Sequence, residues 1–114
     1  MKKIYYLKSC STCLRILKEL DTFEFRLQDI KSEPISLAQL EEMYSLTNSY
    51  EALFNRRSKK FSAMDLKNQV LTEREYKQLI LDEYTFLKRP VFIVDNKIFV
   101  GNAKKTIDLL KKLL

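Results

Sequence analysis

The arrangement of the first 30 residues constrains the fold more than any other feature of the chain. A short β-favouring run, KIYYL, is followed by apolar residues at helical spacing: Leu14, Ile16, Leu17 and Leu20. The segment TFEFRLQDI then alternates apolar and polar residues, which predicts a second strand. We expect one face of this strand to carry Phe23, Phe25 and Leu27. A strand–helix–strand unit requires a right-handed crossover, so the two strands are predicted to be parallel.

Helix-start signals dominate the middle of the chain. Ser36 with Gln39 and Thr72 with Glu75 form capping-box patterns, each ahead of an apolar stripe. The first of these stripes consists of Leu37, Leu40, Met43 and Tyr44. Between the two helices, NSYEALF indicates a short helix that leads into a basic loop, NRRSKKF.

The C-terminal part of the chain predicts an antiparallel hairpin and a closing helix. PVFIVDNKIFVGN reads as two strands around a turn at Asp95 and Asn96, and AKKTIDLLKKLL as a helix with Asn102 as its N-cap. The element order predicts an α/β fold with a small mixed four-stranded sheet flanked by helices. This is the thioredoxin-like architecture.

Length and composition limit the class of protein. A chain of 114 residues with 46% apolar and 32% charged residues is predicted to form a single domain, 1–114, with one core. No apolar run is long enough to cross a bilayer, and the N-terminus lacks the features of a signal peptide. We therefore expect a cytoplasmic protein with no membrane partner, and a monomer. The formal net charge of +6 is compatible with anionic partners, but from charge alone a well-solvated basic surface is the preferred interpretation.

The only two cysteines, Cys10 and Cys13, stand at the predicted junction of the first strand and helix. Two cysteines without histidine are too few for a closed zinc site, so we expect no metal. A structural disulfide over so short a loop adds little stability, and a reducing cytosol opens it. Thiol chemistry fits best, because a helix N-terminus favours a thiolate. Cys10 is then the nucleophile, and Cys13 is either a resolving thiol or a buried apolar residue.

Other residues near these cysteines are candidates for binding an anion. Ser11 and Thr12 are placed to donate hydrogen bonds, and Arg89 is suited to bidentate contact with an oxyanion. Pro90 stands at a strand start, where an X-Pro bond is a candidate for the cis form. A solvated strand-end charge is the alternative for Arg89.

With these motifs in order, CSTC, SEPIS, RSKKF, LKRPVFIVDNK and a late VG, the whole chain resembles the arsenate reductase / Spx family. The resemblance implies a thioredoxin-like fold with a helical insertion in mid-chain. It implies that Cys10 attacks arsenate, and that Arg57 and Arg89, beside a cis Pro90, bind the oxyanion. In glutathione-coupled members, glutathione is the co-substrate and glutaredoxin releases arsenite, so no bound cofactor is expected.

Two departures from the family pattern bear on function. Gly101 stands where those reductases present a third arginine, with Lys104 or Lys105 as the nearest substitutes. The Spx branch shares the Cys-x-x-Cys pair, the Arg-Ser-Lys run and this glycine, and works by binding the α-subunit of RNA polymerase. The glycine that Spx carries in its insertion is absent from LTNSYEALF.

Two functions of different classes remain. One is a thiol oxidoreductase acting on an oxyanion or disulfide, with glutathione and glutaredoxin, or a thiol protein such as thioredoxin, as reductant. The other is a redox-switched regulator of the Spx type, whose Cys10–Cys13 disulfide alters binding to the α-subunit of RNA polymerase. Neither function requires direct contact with nucleic acid. We favour the enzyme, because the nucleophile and two arginines are retained.

Overall fold

The computed structural model describes residues 1–114, which form two compact units. The first unit contains Met1–Pro34 and Arg89–Leu114, and the second contains Ile35–Lys88. The assignment of 1–114 as a single domain stays a prediction. None of the helices is long and apolar enough to span a membrane.

The first unit is built on a mixed four-stranded sheet. Its elements are β1 (Lys2–Tyr6), α1 (Ser11–Glu19), β2 (Arg26–Asp29), β3 (Val91–Val94), β4 (Lys97–Val100) and α5 (Lys104–Leu113). The strand order is β2-β1-β3-β4; β1 is parallel to β2 and antiparallel to β3, and β3 is antiparallel to β4. The predicted strand–helix–strand unit and hairpin are both confirmed. The turn at Asp95 and Asn96 is also confirmed, with Asp95 in the left-handed region at φ 55°.

The core of the first unit joins the sheet to α1 and α5. Its buried members are Ile4, Tyr6, Cys13, Ile16, Phe25, Phe92, Val94, Ile107 and Leu110. Phe25 and Phe92 pack edge to face, with ring centroids 6.3 Å apart. Because α1 contributes Cys13 and Ile16 to this core, its first turn is held against the sheet.

The prediction that Phe23, Phe25 and Leu27 share one face of the second strand was wrong, because β2 contains only Leu27 of the three, and Phe25 is buried before the strand begins. Phe23 is 92% exposed and Leu27 is exposed, whereas Gln28 and Ile30 are buried. The strand begins only at Arg26, and Phe23 lies in the preceding turn, so the alternation that looked continuous was not one strand face. β2 is also an edge strand, which leaves Leu27 with little to pack against.

The second unit is the predicted helical insertion. It contains α2 (Leu37–Thr47), α3 (Lys59–Ala63) and α4 (Glu73–Asp82), with 3-10 turns at Glu51–Leu53 and Tyr84–Phe86. Both predicted capping boxes are present, with reciprocal hydrogen bonds between Ser36 and Gln39 and between Thr72 and Glu75. Rings of Phe54, Phe61, Tyr76 and Phe86 form its aromatic core.

Three local predictions differ from the structure. The N-cap of α5 is Ala103 and not Asn102, so this helix begins one residue later and has no side-chain cap. Leu14 and Leu37 belong to the predicted apolar stripes but are 41% and 49% exposed. The buried residues of α1 are Cys13 and Ile16, and those of α2 are Leu40 and Met43.

The contrast between Ile16 and Leu14 yields a matched test of how α1 is anchored. Ile16 is 1% exposed, so Ile16→Ala is expected to lower the free energy of unfolding by about 2–5 kcal/mol. Leu14→Ala, on the same helix, is expected to cost less than about 1 kcal/mol. Chemical denaturation followed by circular dichroism measures both, and similar losses for the two variants would contradict the anchoring of α1 through Ile16.

Candidate active site

Cys10 lies at the junction between β1 and α1. After β1 ends at Tyr6, a tight turn returns the chain, with the N–H of Cys10 donating to the carbonyl of Leu7 at 3.0 Å. Cys10 is the N-cap of α1 in an extended conformation, and its carbonyl accepts from the N–H of Leu14 at 3.1 Å. The sulfur is half-buried and makes no capping hydrogen bond of ordinary geometry. It therefore stands at the positive end of the helix and within reach of solvent.

The surroundings of Cys10 favour its thiolate. Partial burial raises the pKa of this thiol and is the largest single effect. The N–H and the thiol of Cys13, the Arg89 guanidinium and the N–H of Thr12 act in the opposite direction. Together they outweigh burial, so the pKa of Cys10 lies below its ordinary value.

Cys13 has the opposite character. It is 0% exposed and belongs to the apolar core under α1. Burial raises the pKa of Cys13 to about 11; the N–H of Leu7 opposes the rise, and the neighbouring Cys10 adds to it. Cys13 thus keeps its proton at neutral pH and presents an S–H donor to Cys10. The two thiols are both reduced in the structure.

Arg89 is the cation of this site in the first unit. It lowers the pKa of both thiols through its charge, which places it close to the pair. The peptide bond between Arg89 and Pro90 is cis, and Pro90 is buried at the start of β3. The carbonyl of Pro90 accepts from the N–H of Gly101 at 2.9 Å. β3 and the segment after β4 thereby fix the backbone that carries Arg89.

Ser11 and Thr12 fill the first turn of α1 between the thiols. Ser11 is exposed and Thr12 is half-buried, and neither hydroxyl makes a hydrogen bond within the protein. Both hydroxyls are available to a bound anion. Of the two, only Thr12 affects Cys10 directly, through its backbone N–H.

Arg57 belongs to the second unit, in the loop between the first 3-10 turn and α3. The side chain of its neighbour Arg56 is held by other residues of the second unit. Arg56 makes an ion pair with Glu51 at 2.7 Å, hydrogen-bonds to the Tyr76 hydroxyl and lies over the rings of Phe61 and Tyr76. Arg57 is exposed, and its guanidinium has no partner in the second unit or elsewhere in the chain. Of the two adjacent arginines, only Arg57 is available to a ligand.

The backbone around Arg57 is tightly held. Asn55 accepts from the N–H of Arg57 at 3.1 Å and donates from its amide to the carbonyl of Thr85 at 3.1 Å. Ser58 contacts the Thr85 hydroxyl at 2.8 Å and caps α3 through the N–H of Lys60. The loop is fixed at both ends, and the Arg57 side chain projects from a rigid base.

Gly101 occupies a backbone conformation that other residues avoid. Its φ is +90°, and a Cβ there would meet no atom within 4 Å. The position has room for a side chain, and it is the left-handed backbone that favours glycine. Lys104 and Lys105, at the start of α5, are exposed. No group of three or more His, Cys, Asp or Glu side chains is arranged to hold a metal ion.

Comparison with known proteins identifies the family. The ArsC family model matches residues 5–109, which is nearly the whole chain. The chain belongs to the ArsC family. Its fold is thioredoxin-like, as the element order predicted.

Both branches of this family appear among the similar proteins. The global transcriptional regulator Spx of Lactiplantibacillus plantarum is 26% identical over 101 residues, which cover 86% of this chain and 76% of that protein. A possible arsenate reductase from Streptococcus mutans UA159 is 26% identical, with a TM-score of 0.72 over 95% of this chain and 98% of its own. An ArsC family related protein from Bacteroides fragilis has a TM-score of 0.79 at 21% identity, over 96% and 97% of the two chains, which shows the fold alone.

Sequence reasoning missed one residue of this region, Asp29. It is the last residue of β2 and pairs in register with Tyr6, the last residue of β1. The signal was available, since the carboxyl ends of parallel neighbouring strands meet at one edge of a sheet, and Cys10 follows β1 at that edge.

Removing the charge of Arg89 is expected to make both thiols harder to ionise. In Arg89→Gln, the alkylation of Cys10 by iodoacetamide at pH 7 should slow, and its pH profile should move to higher pH, because a stabilising cation is lost. Arg15→Gln is the matched control, since Arg15 lies on α1 but pairs with Glu19. Mass spectrometry identifies the modified cysteine. An unchanged profile in Arg89→Gln, or an equal shift in Arg15→Gln, would contradict the role of Arg89.

Restoring an arginine after the hairpin is expected to cost stability. Gly101→Arg places a side chain at φ +90° and should lower the free energy of unfolding by about 1–2 kcal/mol. Gly101→Ala should cost about the same, because the strain arises in the backbone. Asn102→Arg, at the next residue and without positive φ, should change stability by less than about 0.5 kcal/mol. Equal stability of Gly101→Arg and Asn102→Arg in urea unfolding would show that the backbone relaxes freely.

Proposed function

We propose that this protein is a thiol oxidoreductase in which Cys10 attacks an oxyanion or a disulfide, with glutathione and glutaredoxin, or a thiol protein, as reductant. The observation that carries the proposal is the opposite character of the two thiols. Cys10 is accessible and inclined to ionise, whereas Cys13 is buried and keeps its proton at neutral pH. A pair that formed only a structural disulfide would not require one accessible thiol and one buried thiol.

With a disulfide substrate, the reaction begins when the Cys10 thiolate attacks one sulfur and the other leaves as a thiolate. The product is a mixed disulfide on Cys10. A second thiolate, from glutathione or Cys13, attacks the Cys10 sulfur and releases the remaining half of the substrate as a thiolate, which leaves Cys10 in a disulfide with glutathione or Cys13. Further glutathione reduces this disulfide and frees the Cys10 thiolate. Two thiols of glutathione supply the two electrons in total and become glutathione disulfide.

With arsenate, the Cys10 sulfur forms a bond to arsenic and one oxygen leaves as water. A glutathione sulfur then displaces a second oxygen. A glutaredoxin thiolate attacks the glutathione sulfur, and the electron pair of the sulfur–arsenic bond stays on arsenic, which is reduced from As(V) to As(III). Hydrolysis of the remaining bond frees arsenite and Cys10, and leaves glutathione in a mixed disulfide with glutaredoxin.

The state of Cys13 bears on which thiol resolves the intermediate. Burial raises the pKa of Cys13 to about 11 in the reduced protein, so this thiol is protonated at pH 7 before Cys10 reacts. Cys10 is one of the causes that raise the pKa of Cys13, and its thiolate disappears once Cys10 is in a mixed disulfide. Cys13 becomes easier to ionise at the stage when a resolving thiol is needed.

Two arginines are proposed as oxyanion ligands. Arg89 stabilises the Cys10 thiolate and the negative charge of an approaching oxyanion. Arg57, projecting from its rigid loop in the second unit, is proposed as the second oxyanion ligand. With Gly101 in place of a third arginine, arsenate is one candidate substrate, and a glutathione mixed disulfide or another oxyanion is an equal one.

A coupled assay with NADPH, glutathione reductase, glutathione and glutaredoxin tests the proposal on arsenate and on a glutathione mixed disulfide. Cys10→Ser is expected to abolish turnover of both substrates, because it removes the attacking sulfur. Cys13→Ser should retain turnover where external glutathione resolves the intermediate. Turnover that survives Cys10→Ser would overturn the proposal.

The role of Arg57 is tested by its effect on affinity for substrate. Arg57→Gln is expected to raise KM for an oxyanion about tenfold or more, through loss of one charge-assisted contact, and to leave the alkylation of Cys10 unchanged. Lys59→Gln, which removes an exposed charge two residues away, is the control and should change KM by less than threefold. If both variants raised KM equally, Arg57 would act only through the overall surface charge and not as a specific ligand.

A redox-switched regulator of the Spx type is the second candidate, and the resemblance to Spx proteins over most of their length favours it. In this function, oxidation joins Cys10 to Cys13 and changes the affinity for the α-subunit of RNA polymerase. Calorimetry of the oxidised and reduced protein with the isolated C-terminal domain of that polymerase α-subunit tests it. Binding in one redox state only, without turnover in the coupled assay, would replace the enzyme by the regulator.

A further inference from the structure

The turn that carries Cys10 is tied to the neighbouring strand by a single carboxylate. Asp29 Oδ1 accepts from the backbone N–H of Lys8 at 3.1 Å, and Lys8 lies two residues before Cys10. Leu7 is buried and anchors the start of this turn, whereas Lys8 and Ser9 are exposed and have no core packing. The hydrogen bond from Lys8 N–H to Asp29 therefore ties the exposed middle of the turn to the neighbouring strand.

The backbone of this turn contacts both thiols. The carbonyl of Leu7 accepts from the N–H of Cys10 at 3.0 Å, which sets the position of Cys10 at the start of α1. The N–H of the same residue, Leu7, acts on the Cys13 sulfur. Any movement of the turn from Leu7 to Cys10 changes the surroundings of the two sulfurs together.

Asp29 is itself rigidly held. Its Oδ2 accepts from the Ser32 hydroxyl at 2.8 Å, and its carbonyl accepts from the N–H of Glu33 at 2.8 Å. The next residue, Ile30, donates to the carbonyl of Tyr6 at 2.9 Å and so continues the parallel pairing of the two strands. The carboxylate therefore transmits the position of β2 to the turn that follows β1.

We propose that Asp29 is a positioning residue for the Cys10–Cys13 pair, acting as a fixed acceptor that holds the Leu7–Cys10 turn in its reactive geometry. The inference rests on the proposed role of Cys10 as the reacting thiol. Asp29 does not touch substrate. It acts by keeping the Cys10 sulfur near the N–H groups of the first turn and near Arg89, where the thiolate is stabilised.

The ionisation of Asp29 supports this role. Desolvation of its carboxyl group raises the pKa and is the largest single effect. Hydrogen bonds from Lys8, Ser32 and Lys31 outweigh it and hold the pKa of Asp29 below its ordinary value. The acceptor is consequently in its carboxylate form throughout the neutral range in which Cys10 reacts.

Three substitutions of Asp29 separate its hydrogen bond from its charge. Asp29→Ala removes both. Asp29→Asn removes the charge but keeps an oxygen at the same distance from the backbone. Asp29→Gln also removes the charge and displaces that oxygen by one methylene group. Asp95→Asn is the matched control, because Asp95 lies beside the other end of β1, about 16 Å away along the strand direction, and binds the N-terminal amine at 2.6 Å.

The experiment measures the pH profile of Cys10 alkylation by iodoacetamide, with mass spectrometry to confirm the modified residue. Asp29→Ala and Asp29→Gln are expected to slow alkylation at pH 7 about five- to tenfold and to move the profile to higher pH, because a mobile turn stabilises the thiolate less. Asp29→Asn is expected to stay within about twofold of the natural protein, and so is Asp95→Asn. Circular dichroism at the assay temperature establishes that each variant is folded.

Normal alkylation in both Asp29→Ala and Asp29→Gln would overturn the proposal. Slow alkylation in Asp29→Asn as well would also overturn it, since the charge and not the placed acceptor would then be responsible. If Asp29→Ala unfolds, the comparison of Asn with Gln at this position decides alone. The readout is independent of any substrate, so it holds or fails separately from the reduction of arsenate or disulfides.

Discussion

Burial of Cys13 beneath the first turn of α1 is the constraint on which the site of the first unit depends. Cys13 lies in the same apolar core as Ile4, Ile16 and Phe92, and therefore fixes the angle at which α1 leaves the sheet. Cys10, three residues earlier, is then left at the helix terminus with its sulfur half-exposed. Cys13 is therefore buried as an uncharged core residue, and Cys10 is left accessible to solvent. Burial raises the pKa of Cys13, whereas at Cys10 the contacts with Cys13, Arg89 and Thr12 outweigh the smaller burial and lower the pKa.

Much of this could be predicted from the sequence, because the relevant signals are local. The capping boxes at Ser36 and Thr72 and the hairpin turn at Asp95 each depend on side chains within a few residues of one another. The place of Cys10 at the junction of strand and helix follows from the change in apolar periodicity around it. The roles assigned to the site residues stay predictions, since they concern reaction with a substrate and not the fold.

What the sequence did not reveal depends on contacts distant in the chain. Phe23 and Leu27 were predicted on one strand face, but β2 begins only at Arg26 and lies at the sheet edge, and both side chains are exposed. Asp29 could be placed near Cys10 only through the predicted pairing of the first two strands, because its partner Lys8 is 21 residues away and is contacted through the backbone. The high pKa of Cys13 likewise comes from a core assembled from both ends of the chain.

The adjacent arginines of the second unit have a consequence for genetic experiments. Arg56 is held by Glu51 and Tyr76 and contributes to the scaffold, whereas Arg57 projects without an internal partner. Under the proposed role of Arg57, a screen scored only by activity would return both positions as sensitive, one through loss of folded protein and the other through loss of a ligand contact. Only a screen that also measures protein abundance would separate the two positions. Two adjacent arginines would then be seen to be under selection for different reasons, one for folding and the other for binding.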